Sequence, residues 1–260
     1  MISMLKNRNL RCRQTIRSDE EWADNTAYTS DSWKQEFEDF LYHPHRSLLL
    51  EKISSYAPFS SLLEIGCGYG PNLYLVAKNF PNTKLIGIDI NSLAVQRGNN
   101  FFKEKGFSNV RLSVGKVQKL DRFDEKQFDI IVTDAMLIYI KPDDIMSSIR
   151  EMLRIGKVLI LNEWHCYNIF LAICTDFYYC FKLKYEAIKF SGEKIDILSY
   201  LFRPRSVSLG LYTGHWTRDY ITLIKQFIPK EKITITKIPK NCWDDRKWLR
   251  WGAIIEVDNR

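Results

Sequence analysis

The chain has 260 residues, of which 45% are hydrophobic and 27% are charged, and its formal net charge is +7. This composition is typical of a globular protein with one sizeable core, and it argues against a disordered or fibrous chain. No apolar run approaches the ~20 residues that a membrane span needs, and the basic N-terminus lacks the apolar stretch of a secretory signal. The positive charge suits an anionic partner but does not identify one.

The six cysteines show no C-x-x-C pair and no regular spacing. Such a pattern predicts reduced thiols in a cytoplasmic protein, with no disulfide framework and no metal site.

The chain alternates between strand-like and helix-like segments along most of its length. Two short helices are predicted between 32 and 56, and Pro44 separates them because proline disfavours helix in the residue before it. The predicted strands that follow are 61–66, 84–90, 109–115, 128–134 and 157–163, with helices at 72–80, 92–106 and 143–156. After a helix over 218–228, the strands 231–238 and 251–257 follow with no helix between them. The pattern predicts a parallel sheet covered on both faces, with an antiparallel pair at one edge.

The segment SLLEIGCGYGPNL (61–73) places three glycines directly after the first strand. A glycine-rich turn at this point lets the backbone approach a nucleotide-like ligand, and the next helix offers free N–H groups. The phosphate loop G-x-x-x-x-G-K-[ST] is excluded because no Lys-Ser or Lys-Thr follows. The dinucleotide pattern G-x-G-x-x-G is excluded because Pro71 stands where its third glycine belongs.

The pattern that remains is E-x-G-x-G-x-G, from Glu64 to Gly70, with Asp89 following 19 residues later at the end of the second strand. It resembles motif I of the class I S-adenosylmethionine-dependent methyltransferases. The segments TDAMLIYIKPDDI, LNEWH, GHWTRDY and WGAIIEV are similar to methyltransferases of types 11 and 25. The resemblance implies an α/β, Rossmann-like, seven-stranded mixed sheet of order 3-2-1-4-5-7-6 with helices on both faces.

Carried over to this chain, the resemblance also implies a site for S-adenosyl-L-methionine. That cofactor site comprises Glu64, Gly66, Cys67, Gly68, Gly70, Asn72, Asp89, Ile90, Lys116, Val117, Asp134 and Ala135. Asp89 would bind the ribose hydroxyls, because a carboxylate accepts two hydrogen bonds, and Ile90 would contact the adenine. Many members of the superfamily carry an acid at the position of Lys116, so here a backbone contact to the adenine is expected.

Candidate catalytic residues lie near the ends of the fourth and fifth strands. His165, at the end of NEWH, is the candidate general base, with Asp134 or Glu163 behind it. The alternative is that His165 only packs at the strand end. His215 and Arg218 could belong to a lid or to an acceptor site, and HPHR (43–46) resembles the cover helices of the superfamily.

The segment 167–209 holds ten aromatic residues and six basic residues. One interpretation is a helical cap with its own small core. The other is an apolar acceptor pocket or a peripheral membrane contact. The predicted organisation is a tail and cover helices (1–56), a cofactor-binding core (57–166), an aromatic cap insertion (167–213) and the rest of the core (214–260).

These observations predict a methyltransferase that acts on a small-molecule, glycan or lipid-linked acceptor by O-methylation. The residues Asp134-Ala135-Met136-Leu137 do not match the [DN]-P-P-[YF] signature of amino-methyltransferases, and the scattered basic residues disfavour nucleic acid. An RNA or protein methyltransferase remains one alternative. A non-catalytic protein that binds the cofactor or a partner is the other.

Overall fold

In the computed structural model, the described residues are 19–24, 33–167, 215–243 and 245–260, with a strand at 210–212 and the single positions 170 and 174. The basic tail predicted before residue 19 lies outside the described residues. So does nearly all of the aromatic cap predicted over 167–213, together with the predicted membrane contact.

Seven of the nine strands in the described residues form one mixed sheet. The strands are β1 (Ser61–Ile65), β2 (Lys84–Asp89), β3 (Val110–Val114), β4 (Phe128–Asp134), β5 (Gly156–Trp164), β6 (Gly210–Tyr212), β7 (His215–Thr217), β8 (Ile233–Lys237) and β9 (Gly252–Asp258). The order in the sheet is β3-β2-β1-β4-β5-β9-β8, while β6 and β7 form a separate antiparallel ribbon. The strands β1 to β5 are parallel, and β9 runs antiparallel to β5 and β8. Counted within this sheet alone, the order is 3-2-1-4-5-7-6, so the predicted sheet is confirmed.

Helices connect these strands and cover both faces of the sheet. They are α1 (Asp19–Ala23), α2 (Trp33–Leu41), α3 (Pro44–Ser54), α4 (Pro71–Asn79), α5 (Ser92–Glu104), α6 (Pro142–Ile155), α7 (Tyr220–Ile224) and α8 (Arg246–Trp251), with 3-10 turns at Leu137–Tyr139 and Lys230–Lys232. Successive residues of β1 point to opposite faces. Leu62 packs with α3, α4 and α5 on one face, and Leu63 packs with α6 and α7 on the other.

The helix α8 corrects the sequence analysis, which expects no helix between the last two strands. Its buried residues, Trp248 and Trp251, join a small aromatic cluster with Trp164 of β5. The helix is therefore stabilised by long-range packing, and its six residues are too few to give a clear helical pattern in the sequence.

The parallel arrangement brings the carboxyl ends of β1 to β4 to one edge of the sheet. The loop after β1 turns sharply at Gly66, whose φ of 76° lies in the left-handed region that glycine adopts readily. The N–H groups of Gly66 and Cys67 both donate to the Ile88 carbonyl, at 2.8 and 3.1 Å. The glycine loop is thereby fixed against the end of β2, next to Asp89.

Candidate functional site

A partly enclosed cavity of about 290 Å³ lies at the carboxyl edge of β1 to β4. Residues following these four strands line it: Ile65, Gly66, Asp89, Ile90, 115–118 and 134–136. The 3-10 turn after β4 adds Tyr139 and Ile140, and α1 adds Asp19 and Trp22. Of the predicted cofactor residues, the structure places Gly66, Asp89, Ile90, Lys116, Val117, Asp134 and Ala135 together around this cavity.

Asp89 is held in place by backbone donors from two loops. Its Oδ2 accepts from the Gly68 N–H at 2.8 Å, and its Oδ1 accepts from the Asn91 N–H at 2.9 Å. Burial raises the pKa of Asp89, and these hydrogen bonds partly oppose the increase. The carboxylate is thus oriented before any ligand arrives, and each oxygen has lone-pair capacity left for another hydrogen bond.

Gly66 and Gly70 occupy positions where a side chain has no room. A Cβ on Gly66 would lie 2.4 Å from Met136 Cγ, within the wall of the cavity. A Cβ on Gly70 would instead lie 2.8 Å from Phe102 Cε2, in the packing between α4 and α5. The sequence places both glycines at the ligand, but in the structure only Gly66 lines the cavity.

Asp134 sits at the centre of a polar network beside the cavity. Its Oδ2 accepts from His45 Nε2, Arg46 Nη1 and Asn72 Nδ2 at 3.2, 3.2 and 3.0 Å, and its Oδ1 accepts from Asn162 Nδ2 at 2.7 Å. Burial alone would raise the pKa of Asp134. The hydrogen bond and charge of His45 and the charge of Arg46 outweigh burial and hold that pKa well below its usual range.

The network explains what HPHR does in the fold. His43 caps the start of α3, and the next two polar residues, His45 and Arg46, reach the Asp134 carboxylate. The segment contacts the site through Asp134, whereas the sequence suggested a cover helix or a direct contact with the substrate.

Glu64 and Asn72 lie behind this network rather than at the cavity surface. Asn72 donates to Glu64 Oε1 at 2.7 Å, and Arg46 donates to Asn72 Oδ1 at 2.6 Å. Burial and the nearby charge of Asp134 raise the pKa of Glu64 to about 8, although the Asn72 hydrogen bond lowers it. Cys67 is also away from the cavity, buried among Leu73 and Leu112 in the core.

The turn that follows β4 is held by two fully buried charged side chains. Glu163 accepts from the N–H groups of Met136, Leu137 and Ile138 at 3.1, 3.0 and 3.2 Å. Arg218 donates to the carbonyls of residues 137 and 140, the first at 2.6 Å. Burial raises the pKa of Glu163 to about 7 and lowers that of Arg218.

The three predicted catalytic residues lie in different positions relative to the cavity. His165 is buried and does not line the cavity; its Nδ1 accepts from the Tyr220 N–H at 3.4 Å, and burial lowers its pKa. Glu163 binds backbone N–H groups of the turn and also lies outside the cavity lining. Asp134 does line the cavity, but its low pKa and four accepted hydrogen bonds make it a poor proton acceptor.

Several residues that line the cavity are not among the site residues predicted from the sequence. Asp19 and Trp22 come from α1, where Asp19 forms a 2.8 Å ion pair with Lys116 and Trp22 lies 4.5 Å from the Tyr139 ring. Met136 and Tyr139 belong to TDAMLIYIKPDDI, so their position after the fourth strand was a usable signal. Nothing local in the sequence marks Asp19 or Trp22.

The match to known proteins decides the family. The chain matches a family described as a methyltransferase domain over residues 60–198, which is more than half of its length. The chain belongs to this family. The S-adenosylmethionine-dependent methyltransferase superfamily predicted from motif I, with its enzyme class and cofactor, is confirmed at the level of the family.

Individual relatives of this methyltransferase domain are distant. A trans-aconitate 2-methyltransferase of Deinococcus radiodurans is 25% identical over 52% of this chain and 48% of its own length. An uncharacterized protein of Rickettsia prowazekii is 29% identical over 40% of this chain and 42% of its own length. The chain therefore spans less than half the length of the curated relatives it matches.

A solved structure shows the same fold. The geranyl diphosphate C-methyltransferase of Streptomyces coelicolor, in a complex with Mg²⁺, geranyl diphosphate and S-adenosyl-L-homocysteine, has a TM-score of 0.55 and 12% identity, over 92% of this chain and 89% of that one.

Two features are absent from the part of the chain that the structure describes. No group of three His, Cys, Asp or Glu side chains is arranged to hold a metal ion there. No helix in this part of the chain is both long and apolar enough to cross a membrane.

Proposed function

We propose that this chain transfers the methyl group of S-adenosylmethionine to a small-molecule, glycan or lipid-linked acceptor, with oxygen as the methylated atom. The observation that carries the proposal is the cavity itself. It has a fixed carboxylate, Asp89, on the β2 side and the Asp134 network and Tyr139 on the β4 side.

The residues around the cavity fit the cofactor that the family uses. Asp89 is positioned to accept from the ribose hydroxyls, and the apolar side chains of Ile90 and Val117 suit an adenine ring. Gly66, without a Cβ, lets the Met136 side chain pack closely against its backbone in the cavity wall. The ionised Asp134 favours the positively charged methionine end of the ligand, because opposite charges attract strongly where water is limited.

When bound, S-adenosylmethionine supplies an activated methyl group, so the protein needs mainly to orient the acceptor and to exclude water. Trp22, Met136 and Tyr139 provide apolar walls for this purpose. A small organic acceptor suits a cavity of this kind. A proposed acceptor of the lipid-linked class would draw on the aromatic residues of 167–209.

The test measures cofactor binding and methyl transfer separately. The first step titrates S-adenosylhomocysteine into the purified protein by calorimetry. Asp89→Ala should raise the Kd roughly 100-fold, since two charge-assisted hydrogen bonds contribute about 3 kcal/mol together. The control is Asp143→Ala, which removes an exposed carboxylate in the first turn of α6.

The second step incubates methyl-labelled cofactor with the protein and a cell extract, and then separates organic, soluble, protein and nucleic-acid fractions. Label in the organic or small soluble fraction that Asp89→Ala abolishes supports the proposal. Label in the protein or RNA fraction would replace the proposed acceptor class. Tight binding with no label in any fraction would favour a non-catalytic protein.

A further inference from the structure

Tyr139 connects the cavity to a histidine that lies behind its wall. Tyr139 lines the cavity, and its Oη lies 3.2 Å from His215 Nε2, within hydrogen-bond distance. The two ring centroids are 4.9 Å apart. His215 itself is not part of the cavity lining, so an acceptor in the cavity would meet the phenol and not the imidazole.

A tryptophan ring packs against each member of the Tyr139–His215 pair. Trp22 packs edge-on against Tyr139 at 4.5 Å, and the Trp164 ring lies 5.0 Å from His215. Arg218, three residues after His215, donates to the carbonyls of the turn that carries Tyr139. The segment that supplies the imidazole therefore also fixes the turn that supplies the phenol.

The carboxylates around the cavity are less suited to accept a proton. Asp134 is ionised with a depressed pKa, and it already accepts four hydrogen bonds. Asp89 is held by two backbone N–H groups, and Asp19 is in an ion pair with Lys116. Among the described residues that line the cavity, Tyr139 is the one with a hydroxyl group, and that group lies within hydrogen-bond distance of an imidazole.

We propose that Tyr139 is a catalytic residue that takes the proton of an acceptor hydroxyl group, while its own phenolic proton passes to His215 Nε2. The inference rests on the proposed methyl transfer and specifies its acceptor as a hydroxyl compound. The acceptor oxygen loses a proton to the Tyr139–His215 pair and gains the methyl group. Sulfur keeps the electron pair of the broken carbon–sulfur bond. His215 ends the step as an imidazolium and returns its proton to water when the product leaves.

The arrangement predicts a dependence of transfer on pH. The pair accepts a proton only while His215 Nε2 is unprotonated, so labelled transfer should fall on the acid side. The charged groups that face the pair are Asp19, Lys116 and Asp134 across the cavity, and Glu163 and Arg218 behind the turn.

The experiment compares Tyr139→Phe with Tyr74→Phe in the full chain. Tyr74 packs against Phe101 and Phe107, outside the cavity lining, so its variant controls for the loss of a hydroxyl group. Both variants should bind S-adenosylhomocysteine within about twofold of the wild type, because neither hydroxyl is needed for that. With methyl-labelled cofactor and cell extract, Tyr139→Phe should lose roughly 100-fold or more of the transfer, the usual contribution of general acid–base catalysis. Tyr74→Phe should lose none.

Two further measurements distinguish a catalytic role of Tyr139 from a purely structural one. His215→Gln should remove the acid limb of the pH profile of transfer. In the ligand-free protein, Tyr139→Phe should change the NMR titration of the His215 ring.

Transfer by Tyr139→Phe at the wild-type rate would overturn the inference and leave the proposed function intact. An unchanged His215 titration would show that the two groups do not interact and would also overturn it. A wild-type protein that binds S-adenosylhomocysteine but transfers no label would refute the proposed function, and the catalytic role of Tyr139 with it.

Discussion

Replacing Gly66 by alanine tests whether the cavity wall is as closely packed as the contacts indicate. The new Cβ would lie 2.4 Å from Met136 Cγ and 2.7 Å from Met136 Cβ, both near the backbone of Met136. Met136 cannot easily withdraw, because its N–H donates to Glu163. The left-handed φ costs an alanine roughly 1–2 kcal/mol, and overpacking adds about 1–3 kcal/mol. We therefore expect Gly66→Ala to lower the free energy of unfolding by roughly 2–5 kcal/mol.

Gly106 provides a matched control. Its φ of 79° is nearly the same as that of Gly66, but nothing lies within 4 Å of the position of a Cβ there. Gly106→Ala should therefore lose only the conformational part, roughly 1–2 kcal/mol. Urea denaturation measures both losses, and calorimetry with S-adenosylhomocysteine should show a Kd about tenfold or more higher for Gly66→Ala alone. Equal losses of stability, with unchanged binding, would refute the close contact between Gly66 and Met136.

Three further substitutions test other parts of the site. The pKa of Glu163 is raised from 4.5 to about 7 in the folded chain. Between these pH values the unfolded chain has lost a proton that the folded chain retains, so the free energy of unfolding falls as the pH rises. Urea denaturation at pH 4.5 and pH 7.5 measures the fall in the free energy of unfolding, and this fall should be about 3 kcal/mol smaller in Glu163→Gln than in the wild type. An equal fall in the variant would contradict a raised pKa for the buried Glu163 carboxyl group. His165→Gln should leave labelled transfer at the wild-type rate, since the ring lies outside the cavity, and a large loss would restore His165 as a candidate base. Lys116→Met breaks the partly exposed ion pair with Asp19, so thermal unfolding should show a change of less than about 1 kcal/mol, and a larger one would mean that α1 depends on this pair.

The sheet could be predicted because its signals are local. Each buried parallel strand is a short apolar run, and a glycine or a polar residue marks its end, as at Gly66 and Asp89. Residues directly after a parallel strand lie at the carboxyl edge of the sheet, and Ala135 and Lys116 line the cavity there. The helix Arg246–Trp251 gave no such signal, because its two tryptophans are buried only by packing on β5.

The parts of the site that the sequence did not predict depend on side-chain direction and long-range contacts. Glu163 lies near the end of β5 and His165 follows it, but neither lines the cavity, because Glu163 binds the turn after β4 and His165 contacts the backbone of Tyr220. His45 lies 89 residues from Asp134 in sequence, and no local pattern could pair them. The same holds for Tyr139 and His215, 76 residues apart.

The contacts of His45 and Arg46 with Asp134 have a consequence for how this site can be divided or exchanged. Both residues lie before the first strand, outside the region that matches the family. A fragment cut at the predicted boundary after residue 56 would keep every strand in the described residues but leave the buried Asp134 carboxylate without Arg46 and His45, and the loss of a buried charge's partner destabilises a fold strongly. The N-terminal segment is therefore part of the site, although it lies outside the region that matches the family. A graft of another protein's N-terminal segment onto the same sheet would change the electrostatics around Asp134, and it would also have to replace Leu49 and Ile53, which pack against the sheet.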